Sequence, residues 1–166
     1  MSFDAYESIK SAMRRSVNST DPQAVLEASI LKATSVMQPH YEVISAGFTA
    51  WRAKTKGTGV RAKDAVWTSG DLTVSLRHLI GLRLPKGSEV VVLTYVKESA
   101  LTQDMADLVL RIMEHAMPEV LPGATPVIVD TRRGKPFKLR ANANRADLDG
   151  VLAAEAAKYV THWLAA

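Results

Sequence analysis

The chain has 166 residues, 47% hydrophobic and 23% charged, a size and balance that allow one hydrophobic core and exclude disorder over most of the length. It contains no cysteine, which removes disulfides, thiolate metal sites and a cysteine nucleophile together. The formal net charge is only +4, so any concentration of basic residues must be offset by acid elsewhere in the chain.

The first ten residues, MSFDAYESIK, carry acidic side chains within seven positions and no apolar run, so a secretory signal peptide is not expected. No segment approaches the roughly 18 apolar residues that span a membrane, and a cytoplasmic protein or a component of an intracellular particle is the expectation. Tyr6, Ile9 and Met13 recur at helical spacing behind a candidate cap at Ser2 and predict a short helix that breaks near Asn18. Asp21 and Pro22 then mark a second helix start, because a proline at the first helical position gives up an N–H that has no intrahelical partner. Its stripe is Val25, Leu26, Ile30, Ala33 and Met37, and Pro39 is expected to end it.

From Tyr41 to Leu84 the segments HYEVISAGFTAW, AVWTSGDLTVSL and LIGLRL read as strands or extended chain around glycine-containing turns. SEVVVLTYV, 88 to 96, is a nearly continuous apolar run, the pattern of a strand buried on both faces. Leu101, Met105, Leu108, Val109, Ile112 and Ala116 predict a helix capped by Ser99 or Thr102 and closed by Pro118. TPVIVDT follows as a strand, and the order strand, helix, strand permits a crossover within one sheet. PFKLR, entered through Gly134, reads as the return arm of a hairpin.

A last helix is expected from Asn144 or Asp147, with Leu148, Val151, Leu152, Ala156, Tyr159, Val160 and Trp163 as its stripe. No repeat, low-complexity tract or linker divides the chain. The expectation is a single α+β domain over 1–166: two N-terminal helices, a mainly antiparallel mixed sheet with a helix on one face, and a C-terminal helix.

Two stretches concentrate the positive charge and contain no acid. WRAKTKGTGVRAK, 51 to 63, holds Arg52, Lys54, Lys56, Arg61 and Lys63, and TRRGKPFKLRANANR, 131 to 145, holds Arg132, Arg133, Lys135, Lys138, Arg140 and Arg145. These are eleven of the 21 basic residues and leave ten against 17 acidic ones elsewhere. On a strand, Phe137 and Leu139 would face one way and Lys138 and Arg140 the other, which makes the second stretch a basic β-ribbon. Like charges held close repel, so such a surface is understandable if an anion neutralises it. Lysines and arginines on hairpins also serve simply to solubilise loops and to block edge-to-edge strand pairing. Trp51 and Phe137 adjoin the two stretches and are candidates for base stacking or, more simply, core anchors.

Motifs that would carry chemistry fail on inspection. GTGVRAK superficially resembles a phosphate loop but lacks the four residues between glycines and the Gly-Lys-Ser/Thr ending. RADLDG is similar to a calcium loop, yet Arg145 would stand at the first ligand position. His40, His78, His115 and His162 form no H-x-x-x-H pair, and no G-x-S-x-G turn is present. The predicted element order is similar to the core of the PD-(D/E)xK nucleases, with Asp71 and Lys97 as the only placeable residues. Tyr95 stands where that family needs a second metal-binding carboxylate.

The sequence therefore leads to a non-enzymatic binding or assembly protein, with no cofactor or metal and no catalytic residue expected. Its two basic hairpins would face a nucleic-acid backbone, an acidic protein surface or neighbouring copies in a homo-oligomer or larger assembly. The layout of helices and sheet is similar to that of small bacteriophage neck and tail-terminator proteins, an analogy of architecture without a shared motif that would imply a virion component. A divalent-metal nuclease is the enzymatic alternative, and a module for an acidic protein partner is the other.

Overall fold

The computed structural model describes residues 4–165, and side chains as far as residue 158. The elements are α1 (Glu7–Ser16), α2 (Pro22–Lys32), α3 (Gln38–Thr55), β1 (Thr58–Val60), β2 (Ala65–Ser69), β3 (Leu72–Leu76), β4 (Ile80–Arg83), β5 (Glu89–Tyr95), α4 (Gln103–Val120), β6 (Thr125–Asp130), β7 (Lys135–Phe137) and α5 (Arg145–Ala165). Five strands form one mixed sheet in the order β1-β4-β5-β6-β7, and β2 and β3 form a separate hairpin. Only β5 and β6 run parallel. Among the described residues, no helix is long and apolar enough to cross a membrane.

The apolar run of β5 supplies both cores by alternation. Val90 and Val92, with Val127 and Val129 of β6, face α1, α2 and α3 through Ile9, Met13, Leu26, Ile44 and Phe48. Val91 and Ile128 face the opposite way, onto Leu110, Met113 and Met117 of α4, Leu76 of the hairpin and Leu152 of α5. The result is three layers, with the sheet between an N-terminal helical layer and a layer of α4, α5 and the β2–β3 hairpin.

The α+β class, the mixed sheet, the crossover helix and the terminal helices agree with the sequence reading. Two segments differ: PFKLR is paired in the sheet only as far as Phe137, and one stretch read as extended is helical. HYEVISAGFTAW is not extended; it forms α3, and Pro39 lies in the first turn of that helix instead of ending α2. The buried residues Tyr41, Ile44, Phe48 and Trp51 recur at helical intervals, a stripe that Gly47 and the β-branched residues obscure. Gly47 has its own reason: a Cβ there would lie 1.7 Å from the backbone oxygen of Thr131, so α3 can lie against the β6–β7 turn only without a side chain.

Caps follow the sequence. Asp21 accepts from the Ala24 N–H at 3.1 Å, Thr102 from Met105 at 3.3 Å and Asn144 from Asp147 at 3.1 Å, each satisfying a first-turn donor. α4 runs two residues beyond Pro118. Ser2, the candidate first cap, lies outside the described residues, as do the side chains of Tyr159, Val160, His162 and Trp163.

A charge network ties α5 to α4. Arg111 donates to both Asp149 oxygens at 2.8 and 3.0 Å, His115 Nε2 lies 3.0 Å from Asp149, and Arg145 reaches Glu114 at 2.9 Å. Arg111, and after it His115, holds the Asp149 carboxyl well below the ordinary carboxylate range. Burial pushes Glu114 up, but Arg145 and Arg111 outweigh it and hold Glu114 below its usual value. A carboxylate whose folded pKa is depressed contributes stability that is present above its unfolded pKa, near 4, and lost as pH falls through the folded value. Thermal unfolding followed from pH 6 to pH 2 should therefore show a falling midpoint below about pH 4. Arg111→Met should lower the midpoint at pH 6 and flatten that acid limb.

Candidate functional site

The sheet order separates the two basic stretches. β1 and β7 are the opposite edges of the five-stranded sheet, four strand spacings or about 19 Å apart, so the stretches do not merge into one surface.

In the second stretch the arginines have partners within the chain. Arg132 donates to the Val96 carbonyl at 2.7 Å and the Tyr6 hydroxyl at 3.2 Å, and lies 3.0 Å from His40 Nδ1. Arg133 holds both oxygens of Asp130 at 3.1 and 3.0 Å and also donates to the Glu98 carbonyl. Arg140 bonds Asp107 at 2.6 Å and Asp104 at 3.0 Å, and Arg145 bonds Glu114. Asp107 and Asp130 are each only 1% exposed. A buried carboxylate requires such a partner, so these guanidiniums are structural counter-charges. A stretch free of acid in sequence is thus not free of acid in space.

β7 itself ends at Phe137, and Lys138 and Arg140 follow it outside the sheet. Phe137 is buried, with Lys135 Nζ 4.9 Å from the ring centroid. Lys138 is exposed and forms no ion pair among the described residues.

The first stretch differs. Arg52 is used locally, donating to the carbonyls of Lys56 at 2.6 Å and Gly57 at 3.4 Å to close the end of α3. Trp51 is buried in the core. Lys54, Lys56, Arg61 and Lys63 are exposed, and none forms an ion pair among the described residues. Lys56 adopts φ 57° and ψ −147°, a region that essentially only glycine populates and that costs a side chain of this kind roughly 1–3 kcal/mol. The Lys63 backbone N–H donates to the Val120 carbonyl, which ties this segment of chain to the C-terminal end of α4.

A cleft at the other end of the sheet has no counterpart in the sequence reading. The β4–β5 ladder pairs Ile80 with Val92 and stops there; continued, it would set His78 opposite Thr94. His78 instead takes φ 57°, which turns the chain away and leaves β5 beyond Val92 paired with β6 alone. Between this free edge, α1 and α4 lies a cavity of about 440 Å³.

Its polar wall holds Asp4, Glu7, Lys10, Arg77, His78 and Lys97. Glu7 lies 2.7 Å from His78 Nε2 and accepts from Arg77 at 3.0 Å, while Lys10 bonds Asp4. Burial pushes the Asp4 carboxyl up, but Lys10 and the Tyr6 N–H hold it below its usual value. Lys97 forms no ion pair among the described residues.

Asp71 sits in the turn that joins β2 to β3, whereas Ser75, four residues along β3, lines the cleft. Asp71 is therefore about 13 Å along the strand from Ser75 and, unlike Lys97, does not line the cleft. Among the described residues no three His, Cys, Asp or Glu side chains are grouped as metal ligands. Glu7 and His78 are separated by 71 positions, and no spacing rule could have joined them.

Fold and sites define a three-layer α+β protein with a cationic edge and a mixed-charge cleft. No protein-family model matches the chain, and no curated protein matches it in sequence.

The arginine pairing makes a direct prediction. Arg133→Ala strips Asp130 of its guanidinium and should cost about 3 kcal/mol, whereas Lys138→Ala should fall within about 0.5 kcal/mol of wild type. Urea denaturation of both variants checks this.

Proposed function

We propose that the protein is a non-enzymatic binding protein that meets a nucleic-acid backbone through the cationic edge formed by Lys54, Lys56, Arg61 and Lys63. The observation that carries this reading is Lys56. A lysine is kept where glycine would be unstrained, among exposed cations that have no acidic partner among the described residues. Strained non-glycine residues persist where the side chain is needed and the surrounding structure holds them. Phosphates need charge and no fixed side-chain code, so lysines at a helix end and just beyond an edge strand suit positioning contacts. Lys135 and Lys138, at the opposite side of the sheet, are not part of this surface, and the arginines of that stretch are engaged internally.

Titration of a duplex DNA oligonucleotide and a single-stranded RNA at several salt concentrations tests the reading. Replacing Lys54, Lys56, Arg61 and Lys63 with alanine should weaken binding alike for unrelated sequences and flatten the salt dependence by roughly 0.7 to 0.9 for each phosphate that is no longer neutralised. Binding unchanged in the variant would overturn the role of this edge. An absence of wild-type binding at low salt, with a mass in solution above that of one chain, would favour assembly with an acidic protein surface or further copies.

Lys56→Gly separates charge from strain. It should stabilise the fold by about 1 kcal/mol, the relief of backbone strain less the added freedom of the unfolded chain, and weaken nucleic-acid binding. Chemical denaturation beside the same titration reads both.

A further inference from the structure

The cleft beside β5 is independent of the cationic edge and has its own chemistry. Its floor is apolar, formed by Leu93, Leu101, Met105, Val109 and Ile128. Its volume, about 440 Å³, is in the range of small-molecule sites, and such sites combine an apolar lining with a few convergent polar groups.

The polar wall is unbalanced. Two carboxylates, Asp4 and Glu7, face three permanent cations, Lys10, Arg77 and Lys97. Lys10 and Arg77 are paired with those carboxylates, so the uncompensated charge is that of Lys97.

The backbone adds a second feature. The Thr131 N–H donates to the Tyr95 carbonyl at 2.9 Å, so Tyr95 and the residues two apart from it direct their peptide groups to β6. Thr94 directs its N–H and C=O the other way, to the side where β4 has ended. His78 stands at the position that would have closed this gap, and its positive φ, uncommon for a residue other than glycine, keeps the gap open. Its ring is held by Glu7 at 2.7 Å. The turn at His78 thus leaves a polar strand edge beside an apolar cavity that Lys97 also lines.

We propose that this cleft binds a small amphipathic anion, its head group at Lys97 and the Thr94 backbone and its hydrocarbon body over Leu93, Met105 and Val109. The head group is a carboxylate or a phosphate monoester, which share the negative sign and the acceptor oxygens that Lys97 and the Thr94 N–H require. The ligand lies at the carboxyl ends of the parallel pair β5 and β6, the end at which open sheets with parallel strands bind their ligands.

Calorimetric titration of the full chain with octanoate, octyl phosphate and 1-octanol tests the assignment. Both anions, or one of them, should bind at one site per chain and more tightly than the alcohol. The tighter of the two identifies the head group. Affinity should rise roughly fourfold for each methylene from butyrate to octanoate, as expected for burial of the chain.

Lys97→Met should weaken the anion at least tenfold and leave octanol unchanged. Met105→Trp, at a position already 55% exposed and so tolerant of a larger side chain, should obstruct all three ligands while thermal unfolding stays cooperative. Lys54→Met, on the cationic edge, should change none of them. The proposal is overturned if neither anion binds, if octanol binds as tightly as octanoate, or if Lys97→Met binds like wild type.

Discussion

The structure rests on one parallel strand pair. Val90, Val91 and Val92 lie beside Thr125, Pro126 and Val127, and Leu93, Thr94 and Tyr95 continue the register beside Ile128, Val129 and Asp130. A parallel pair cannot be closed by a tight turn, so the chain must leave the sheet and return through a crossover. That crossover is α4, and its burial of Leu110, Met113 and Met117 on one face leaves the other valine face open. α1, α2 and α3 cover it. Each layer is therefore required by the alternation of three consecutive valines, and a polar residue at Val91 or Val92 would expose or wound one core or the other.

The same pair decides where chemistry can occur. β4 joins β5 in antiparallel register but stops one residue past Gly81 in the direction of the chain start, because His78 turns away. β6 continues beside β5 to Asp130. The sheet consequently splits on one side of β5 while staying intact on the other, and side chains from α1 and α4 flank the split. Asp130, at the end of β6, is buried and accepts from the Leu101 N–H at 3.2 Å as well as from Arg133. The arginine of the basic stretch thus holds the floor of this region in place from beneath, a structural use of charge that its position in the sequence does not announce.

Much of the fold is legible in the sequence because its signals are local. The valine run, the α4 stripe, the Asp21-Pro22 start and the Asn144 cap each depend on residues a few positions apart. α3 escapes such a reading because Gly47 and the β-branched Val43, Ile44 and Thr49 weaken its helical signature, and the reason for Gly47, contact with Thr131, lies 84 positions away. The charges are half legible. Arg52, Lys54, Lys56, Arg61 and Lys63 can be found by composition, but the distinction between exposed lysines and internally paired arginines depends on Asp130, just before the second stretch, and on Asp104, Asp107 and Glu114, which the chain order keeps apart from it. The cleft is not legible at all, since Glu7, His78 and Lys97 come from three unconnected segments and their meeting follows from topology.

Among the described residues, two non-glycine positions have positive φ, Lys56 and His78, and they fall one in each candidate site. They also mark opposite ends of the molecule. The N-terminal turn of α4 borders the cleft through Met105, with Leu101 just before the helix, while its C-terminal carbonyl at Val120 holds the segment of Lys63. With 18 residues α4 is about 27 Å long, several times the Debye length of about 8 Å at physiological ionic strength. Charge placed on one site is therefore screened from the other, and an anion in the cleft cannot compete electrostatically with a polyanion on the edge. Any coupling between them would have to pass through displacement of α4 itself, whose buried face is packed against Val91 and Ile128. Close-packed cores resist such sliding, so the two candidate sites, bordered by opposite ends of one rigid helix, would act independently.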